Sequence, residues 1–234
     1  MIKLICFPHA GGFAASYGAW RKYLDPAIEI VGIDLSGHGK RLSERLMDNF
    51  DDVYNDLLPI VAAHVAHSSY GIFGHSMGSL LAYELALGLE EMNTGSPKHI
   101  FASGTTPPHI RQRDLSCYQM DDDAVAEKIV SDGGTPPEVL ANQRLREIYL
   151  PIIKADYRVL DSYHCTERRQ LHCDLSILNG SQDEEIDGSE VQWKEYTTGS
   201  CAFAYYPGGH FYVQQCVKQV AQYINRVLTD EGVR

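Results

Sequence analysis

Short apolar runs alternate with longer helical patterns from one end of this 234-residue chain to the other. Most of the short runs are apolar nearly throughout, which is typical of strands covered on both faces of a parallel sheet. Valine, leucine and isoleucine recur at helical spacing in two segments, 51–67 and 213–227. This alternation predicts an α/β fold in which a mostly parallel sheet is flanked by helices. The predicted strands are 2–7, 29–34, 70–75, 99–103, 174–179 and 201–206.

The composition excludes several classes of protein. Hydrophobic residues make up 44% of the chain and charged residues 22%, as in an ordinary folded domain. No stretch approaches the roughly 18 consecutive apolar residues that a membrane-spanning helix needs. The apolar run before Pro8 is too short for a signal peptide, so we expect a cytoplasmic protein without membrane binding. The formal net charge of −11 argues against nucleic-acid binding, because it repels a phosphate backbone.

One connection between predicted strands is too long for a simple crossover. About 70 residues separate the strands at 99–103 and 174–179, and they contain helical patterns at 121–131, 137–147 and 150–163. We therefore expect residues 105–170 to form a helical lid, inserted within a single domain that spans 1–234. Its apolar residues have no sheet partners and must cover one another or the functional site. They include Val125, Ile129, Ile148, Ile152 and Ile153.

A glycine-flanked serine ends the third predicted strand, in the sequence Gly-His-Ser-Met-Gly at 74–78. A helix-forming run follows it, from 79 to 90. A nucleophile elbow requires this context, because the serine sits on a sharp turn between strand and helix, where flanking side chains would clash. We interpret Ser76 as a catalytic nucleophile rather than as a serine in an ordinary glycine-rich turn.

An activated serine needs a base and an acid, which in this architecture follow it along the chain. His210 lies just after the last predicted strand, in Pro-Gly-Gly-His-Phe at 207–211, and is the predicted base. Asp183 follows the preceding strand and is the predicted acid, with Glu184 and Glu185 as rivals in the same loop. Such a carboxylate would hold the tautomer of the imidazole and stabilise its charged form.

Two backbone N–H groups are expected to form an oxyanion hole. The residue after the nucleophile, Met77, supplies one, and the loop after the first strand supplies the other, with Ala10 as the predicted donor. We interpret His9 and His75 as orienting neighbours rather than as bases. No metal or other cofactor is expected, because the His-Cys pairs at 164–165 and 172–173 lack the usual spacing of zinc ligands.

Taken together, these motifs resemble the stand-alone type II thioesterases that accompany nonribosomal peptide and polyketide synthases. The resemblance covers essentially the whole chain. It departs from the family at 36–39, where Ser-Gly-His-Gly stands in place of the more frequent Pro-Gly-Arg. The matching strings are Phe-Pro-His-Ala-Gly-Gly at 7–12 with Trp20, Phe-Gly-His-Ser-Met-Gly at 73–78 with Ala-Tyr-Glu-Leu-Ala at 82–86, Ala-Asp-Tyr at 155–157, and Pro-Gly-Gly-His-Phe at 207–211.

The resemblance implies an α/β-hydrolase fold with a lid at 105–170 and a triad of Ser76, Asp183 and His210. It implies Ala10 and Met77 as oxyanion donors. The implied reaction is hydrolysis of acyl groups from the phosphopantetheine thiol of acyl or peptidyl carrier proteins, without a cofactor. Such an enzyme would clear stalled or wrongly primed synthases.

Two other functions are consistent with the same residues. One is a small-molecule carboxylesterase or lipase that uses the triad on oxygen esters, and the other is a non-catalytic hydrolase scaffold that binds a partner. Carrier proteins are usually acidic, as is this chain, so docking would need a local basic patch. The arginines considered for such a patch are Arg111, Arg113, Arg158, Arg168 and Arg169.

Overall fold

A computed structural model of the protein describes residues 1–110, 120–135 and 137–229. The described strands are β1 (Ile2–Phe7), β2 (Ile28–Gly32), β3 (Ser69–His75), β4 (His99–Ser103), β5 (Asp174–Gly180) and β6 (Cys201–Tyr206). They form one sheet in the order β2-β1-β3-β4-β5-β6, and every neighbouring pair is parallel. The predicted α/β class and parallel sheet are therefore confirmed.

Helices cover both faces of this sheet. The described α-helices are α1 (Phe50–Val65), α2 (Met77–Glu91), α3 (Asp122–Asp132), α4 (Pro137–Ala141), α5 (Gln143–Ser162), α6 (Tyr212–Gln215) and α7 (Val217–Thr229), and a 3₁₀ helix spans Ala14–Lys22. Successive side chains of a strand point to opposite faces. In β1, Ile5 packs in the core that α1 and α2 share, whereas Leu4 packs in the core on the side of α7 and the 3₁₀ helix.

The helices of the 105–170 segment differ from their predicted bounds. Patterns at 137–147 and 150–163 predict two helices with a break at 148–149, but α5 runs continuously through these positions and through Pro151. The break falls earlier, at Asn142, whose side chain accepts a hydrogen bond from the Leu145 N–H at 3.2 Å and so caps α5. Pro151 is exposed, so its ring meets solvent on the outer side of the helix.

The apolar side chains of this segment form a small core of their own, which includes Val125, Ile129 and Ile153. Ile152 is also buried. Ile148 was expected among them but is 46% exposed, because it lies on the outer face of α5.

The topology determines where a site can form. The chain leaves β1 for β2 on one side and then returns to place β3 on the other side of β1. The loops after β1 and β3 therefore diverge at the carboxyl edge of the sheet, and this is where α/β sheets have their binding crevice. Phe7, the last residue of β1, is in register with Gly74, so the loop after β1 emerges beside the serine turn.

Candidate active site

Ser76 lies at the turn between β3 and α2, with a backbone φ of 54° and ψ of −117°. A positive φ is strained for any residue other than glycine. The glycines of the motif permit the turn, because a Cβ at Gly74 would clash with the carbonyl of Gly78, and one at Gly78 with that of Phe7. The Ser76 N–H donates to the Ser103 carbonyl oxygen at 2.7 Å. The turn thus holds a partly exposed serine at the carboxyl edge of the sheet.

His210 and Asp183 meet beside this turn. Nδ1 of His210 lies 2.9 Å from Oδ2 of Asp183, and the carboxylate side chain is 1% exposed. The two loops that carry them are joined by the Gln182 N–H, which donates to the Gly208 carbonyl oxygen at 2.9 Å. A carboxylate only accepts hydrogen bonds, so Nδ1 carries the hydrogen and Nε2 of the neutral ring keeps its lone pair.

The two acidic neighbours of Asp183 in the loop are more exposed than Asp183. Oε2 of Glu185 is 3.8 Å from His210 Nδ1, and this side chain is 73% exposed. The backbone N–H of Glu185 donates to Oδ1 of Asp183 at 3.1 Å, so this residue supports the buried carboxylate. Glu184 is exposed. Because water screens exposed charges, the geometry favours Asp183 as the partner of the imidazole.

Three further rings surround His210. The ring centroid of His75 lies 5.3 Å from that of His210. The rings of Phe211 and His9 pack edge-on, with their centroids 4.9 Å apart. Burial, reinforced by the charges of His210 and His9, lowers the pKa of His75 well below its ordinary value. Burial and the charge of His210 lower the pKa of His9 to about 4. Both rings are therefore neutral near neutral pH, as orienting neighbours should be.

The expected oxyanion donors occupy suitable backbone positions. Met77 opens α2, so its N–H has no carbonyl partner four residues earlier within the helix. Ala10 lies in the loop after β1, which emerges beside the serine turn. The next N–H of that loop, from Gly11, is already engaged by Oδ2 of Asp156 at 2.6 Å.

Two buried residues next to this loop were not predicted as part of the site. Nε2 of His38 lies 3.0 Å from the same Oδ2 of Asp156, and the two side chains are 2% and 1% exposed. His38 lies at 36–39, where the chain departs from the resembled family, so the resemblance assigned it no role. Asp156 had a sequence signal, its place in the Ala-Asp-Tyr string at 155–157.

The grouping of a serine, an imidazole and a buried carboxylate is the set required for nucleophilic acyl transfer. No group of three or more His, Cys, Asp and Glu side chains within the described residues is arranged to hold a metal ion. None of the described helices is long and apolar enough to cross a membrane.

The sequence model of a protein family described as Thioesterase domain matches residues 2–228, nearly the whole chain. The chain belongs to the thioesterase family. The thioesterase is 31% identical to the medium-chain S-acyl fatty acid synthase thioesterase of Anas platyrhynchos, over 100% of this chain and 94% of the duck protein. The resemblance that the motifs showed is thereby confirmed.

Solved structures agree with this assignment. The thioesterase is 33% identical to ClbQ from the colibactin NRPS/PKS pathway, with a TM-score of 0.90 over 97% of this chain and 96% of ClbQ. It is 28% identical to the type II thioesterase BorB of the borrelidin biosynthetic cluster, with a TM-score of 0.88 over 97% and 92%. The α/β-hydrolase fold is confirmed. These comparisons favour a thioesterase over the esterase, lipase and non-catalytic alternatives.

Proposed function

We propose that this thioesterase hydrolyses acyl thioesters on the phosphopantetheine arm of acyl or peptidyl carrier proteins, as a type II enzyme of a nonribosomal peptide or polyketide pathway. The observation that supports it most is the contact between His210 Nδ1 and the buried Asp183 carboxylate, directly beside the serine turn. Because Nδ1 carries the hydrogen in this contact, Nε2 is the unprotonated nitrogen of the neutral ring and the one that can act as a base. The family supplies the substrate class, since its relatives are thioesterases of such pathways.

In the first half of the proposed reaction, Oγ of Ser76 attacks the thioester carbonyl carbon and Nε2 of His210 takes the hydroxyl proton. The carbonyl oxygen becomes negative and accepts hydrogen bonds from the N–H groups of Ala10 and Met77. The carbon–sulfur bond then breaks, and the imidazolium returns the proton to the departing thiolate. Asp183 stays ionised throughout and stabilises the imidazolium across the Nδ1 hydrogen bond.

In the second half, water attacks the acyl group on Ser76 while His210 removes its proton. The same two N–H groups hold the second tetrahedral oxyanion. Collapse of this intermediate breaks the ester bond, and the imidazolium returns its proton to Oγ. The products are a carboxylic acid and a free pantetheine thiol, and no redox change or cofactor is needed.

The test compares three substrates with the same acyl group, which differ in the presence of the carrier protein and in the atom bonded to the acyl carbon. The purified protein is given an acyl carrier protein loaded with an acyl group, the corresponding acyl-pantetheine, and the matched oxygen ester. We expect kcat/KM to be highest for the loaded carrier protein and higher for the thioester than for the oxygen ester. A preference for the oxygen ester by tenfold or more would contradict the proposal and restore the esterase alternative.

A further inference from the structure

Helix α5 of the 105–170 segment forms a wall behind the loop that carries Ala10. The Phe13 ring lies 5.3 Å from that of Tyr149, in an edge-on contact. A Cβ at Gly11 would lie 2.5 Å from Cγ1 of Ile153, so the loop backbone rests directly against the helix. A turn further along α5, Asp156 accepts the Gly11 N–H at 2.6 Å. The loop is thus held from one side by steric contact and by a single buried carboxylate.

The carboxylate of Asp156 is itself held by His38. Its Oδ2 lies 3.0 Å from Nε2 of His38, and the other ring nitrogen, Nδ1, lies 3.1 Å from the Ser36 carbonyl oxygen. With Asp156 ionised, both of these partners are acceptors, so both ring nitrogens donate and the imidazole is positively charged. Burial alone lowers the pKa of His38, but the hydrogen bond and charge of Asp156, with the Ser36 carbonyl, raise it overall. The result is a buried ion pair whose negative member touches the loop.

We propose that Asp156 is a positioning residue for the oxyanion hole: its hydrogen bond with Gly11 fixes the neighbouring Ala10 N–H where the negative oxygen forms, and His38 fixes Asp156. The inference rests on the proposed function, in which Ala10 is an oxyanion donor. One consequence is that the 105–170 segment does more than cover substrate, because α5 also completes the catalytic geometry. Asp156 touches no reacting atom in this scheme and acts through Gly11.

This role predicts a particular kinetic pattern. An oxyanion donor acts on the transition state and not on the bound substrate, so its displacement lowers kcat and leaves KM nearly unchanged. A residue that merely holds α5 in place would instead change KM, or the profile of acyl-chain lengths, because the segment borders the expected acyl site. Loss of one oxyanion donor typically lowers kcat by about 10²- to 10³-fold, and a displaced donor should lose part of that effect.

The experiment uses variants at one position. Asp156→Asn removes the charge but can keep an amide oxygen in the place of Oδ2, where it can accept from both the Gly11 N–H and a protonated His38 Nε2. Asp156→Leu fills a similar volume without an acceptor, and Asp156→Ala removes the acceptor without adding volume. With two such variants, the activity can still be measured on one if the other does not fold. The matched control is Asp161→Asn, a buried aspartate more than one turn further along α5. Each is assayed on acyl-pantetheine and titrated with an alkylboronic acid, which forms a tetrahedral adduct on the Ser76 Oγ.

We expect Asp156→Leu or Asp156→Ala to lower kcat by about 30- to 100-fold with KM within about twofold, and to weaken boronate binding by about tenfold or more. Asp156→Asn should rescue kcat to within about threefold of wild type, and Asp161→Asn should match wild type.

Unchanged kcat in the folded Leu or Ala variant would overturn the inference, as would a loss in KM alone or an equal loss in Asp161→Asn. Equal losses in Asp156→Asn and Asp156→Leu would overturn it too, because charge rather than the Gly11 hydrogen bond would then matter. Failure of the proposed function is distinguished by the wild-type protein, which would then prefer the oxygen ester or show no activity on acyl-pantetheine.

Discussion

At the scale of single residues, substitutions in the 183–185 loop test whether the buried acid, rather than an exposed one, is the partner of the catalytic histidine. Asp183→Asn keeps the shape of the side chain but lets its amide face His210 Nδ1 with a donor, which favours the wrong tautomer. We expect kcat on acyl-pantetheine to fall by about 10³- to 10⁴-fold, with little change in thermal stability. Glu185→Gln, the exposed neighbour, should stay within about threefold of wild type. The reverse ranking would move the acid to Glu185.

Chain order is enough to propose roles for two residues of this site. Ser76 and His210 each follow a recognisable strand, so topology places them together. The choice among three adjacent acids depends on which one is buried, and spacing does not show this. The contact between His38 and Asp156 was harder still to predict, because the two residues are 118 positions apart in the chain. His38 lies in a loop, and Asp156 lies on a helix of the 105–170 segment.

At the scale of elements, α5 offers two adjacent residues that differ in their surroundings. Tyr149 is half-buried and contacts Phe13 beside the proposed oxyanion loop, whereas Ile148 is 46% exposed. If the 105–170 segment lines the acyl site, Tyr149→Ala should remove a wall of that site. The ratio of kcat/KM for longer acyl chains to kcat/KM for shorter ones should then rise by about tenfold. Ile148→Ala is the control. Equal profiles for wild type and Tyr149→Ala would mean that this side of α5 does not contact the acyl chain.

The elements themselves were predicted unevenly. Strand positions agree to within two residues, because apolar runs in a parallel sheet are bounded by polar turns. The continuous α5 was not predicted, since a proline inside a helix ordinarily breaks it. The burial of Ile152 and Ile153 and the cap at Asn142 outweigh that local preference, and neither their tertiary contacts nor their burial can be read from helical spacing.

At the scale of the whole molecule, the net charge of −11 means that docking of the proposed carrier-protein partner would depend on local arginines. Arg111 and Arg113 lie outside the described residues. Arg158 is 3.5 Å from Asp48. Arg168 pairs with Glu195, and Arg169 with Glu91 at the end of α2. Because α2 begins beside Ser76 and has 15 residues, Arg169 lies ~20 Å along it from the site.

Joint replacement of Arg111 and Arg113 by Glu should raise KM for a loaded carrier protein, chiefly at low salt, by about fivefold or more. Hydrolysis of free acyl-pantetheine should not change. Arg169→Glu is the matched control, since its distance from the serine turn predicts no effect on either substrate. Losses on both substrates in the double variant would indicate damage to the 105–170 segment, and no loss on either would place the docking surface elsewhere.

Buried neutral histidines make the fold sensitive to acid. Burial lowers the pKa of His99 to about 4 and, with the charge of His210, that of His9 to about 4; burial also holds the pKa of His75 well below its ordinary value. An unfolded histidine titrates near 6.5, so between about pH 6.5 and 4 the unfolded chain binds more protons and stability falls. His38 acts oppositely, because its raised pKa gives stability that is lost only as pH rises.

We therefore expect the free energy of unfolding to be lower at pH 5 than at pH 7, by about 1 to 2 kcal/mol for each neutral histidine. Urea unfolding at the two pH values measures this. His99→Gln, at the start of β4 and far from the site, should reduce the difference in unfolding free energy between the two pH values by the contribution of one histidine. Equal stability of the wild-type protein at both pH values would contradict this account.

The most direct test of the proposed chemistry is the Ser76→Ala variant on an acyl-loaded carrier protein, with the wild-type protein in parallel. Without the Oγ nucleophile no acyl-enzyme forms, and only binding and the oxyanion donors remain. We predict that the variant folds normally, loses hydrolysis by about 10⁴-fold or more, and no longer reacts with a fluorophosphonate that labels the wild-type protein once per chain. A folded Ser76→Ala protein that keeps more than about a tenth of wild-type hydrolysis would contradict the assignment of Ser76 as the nucleophile.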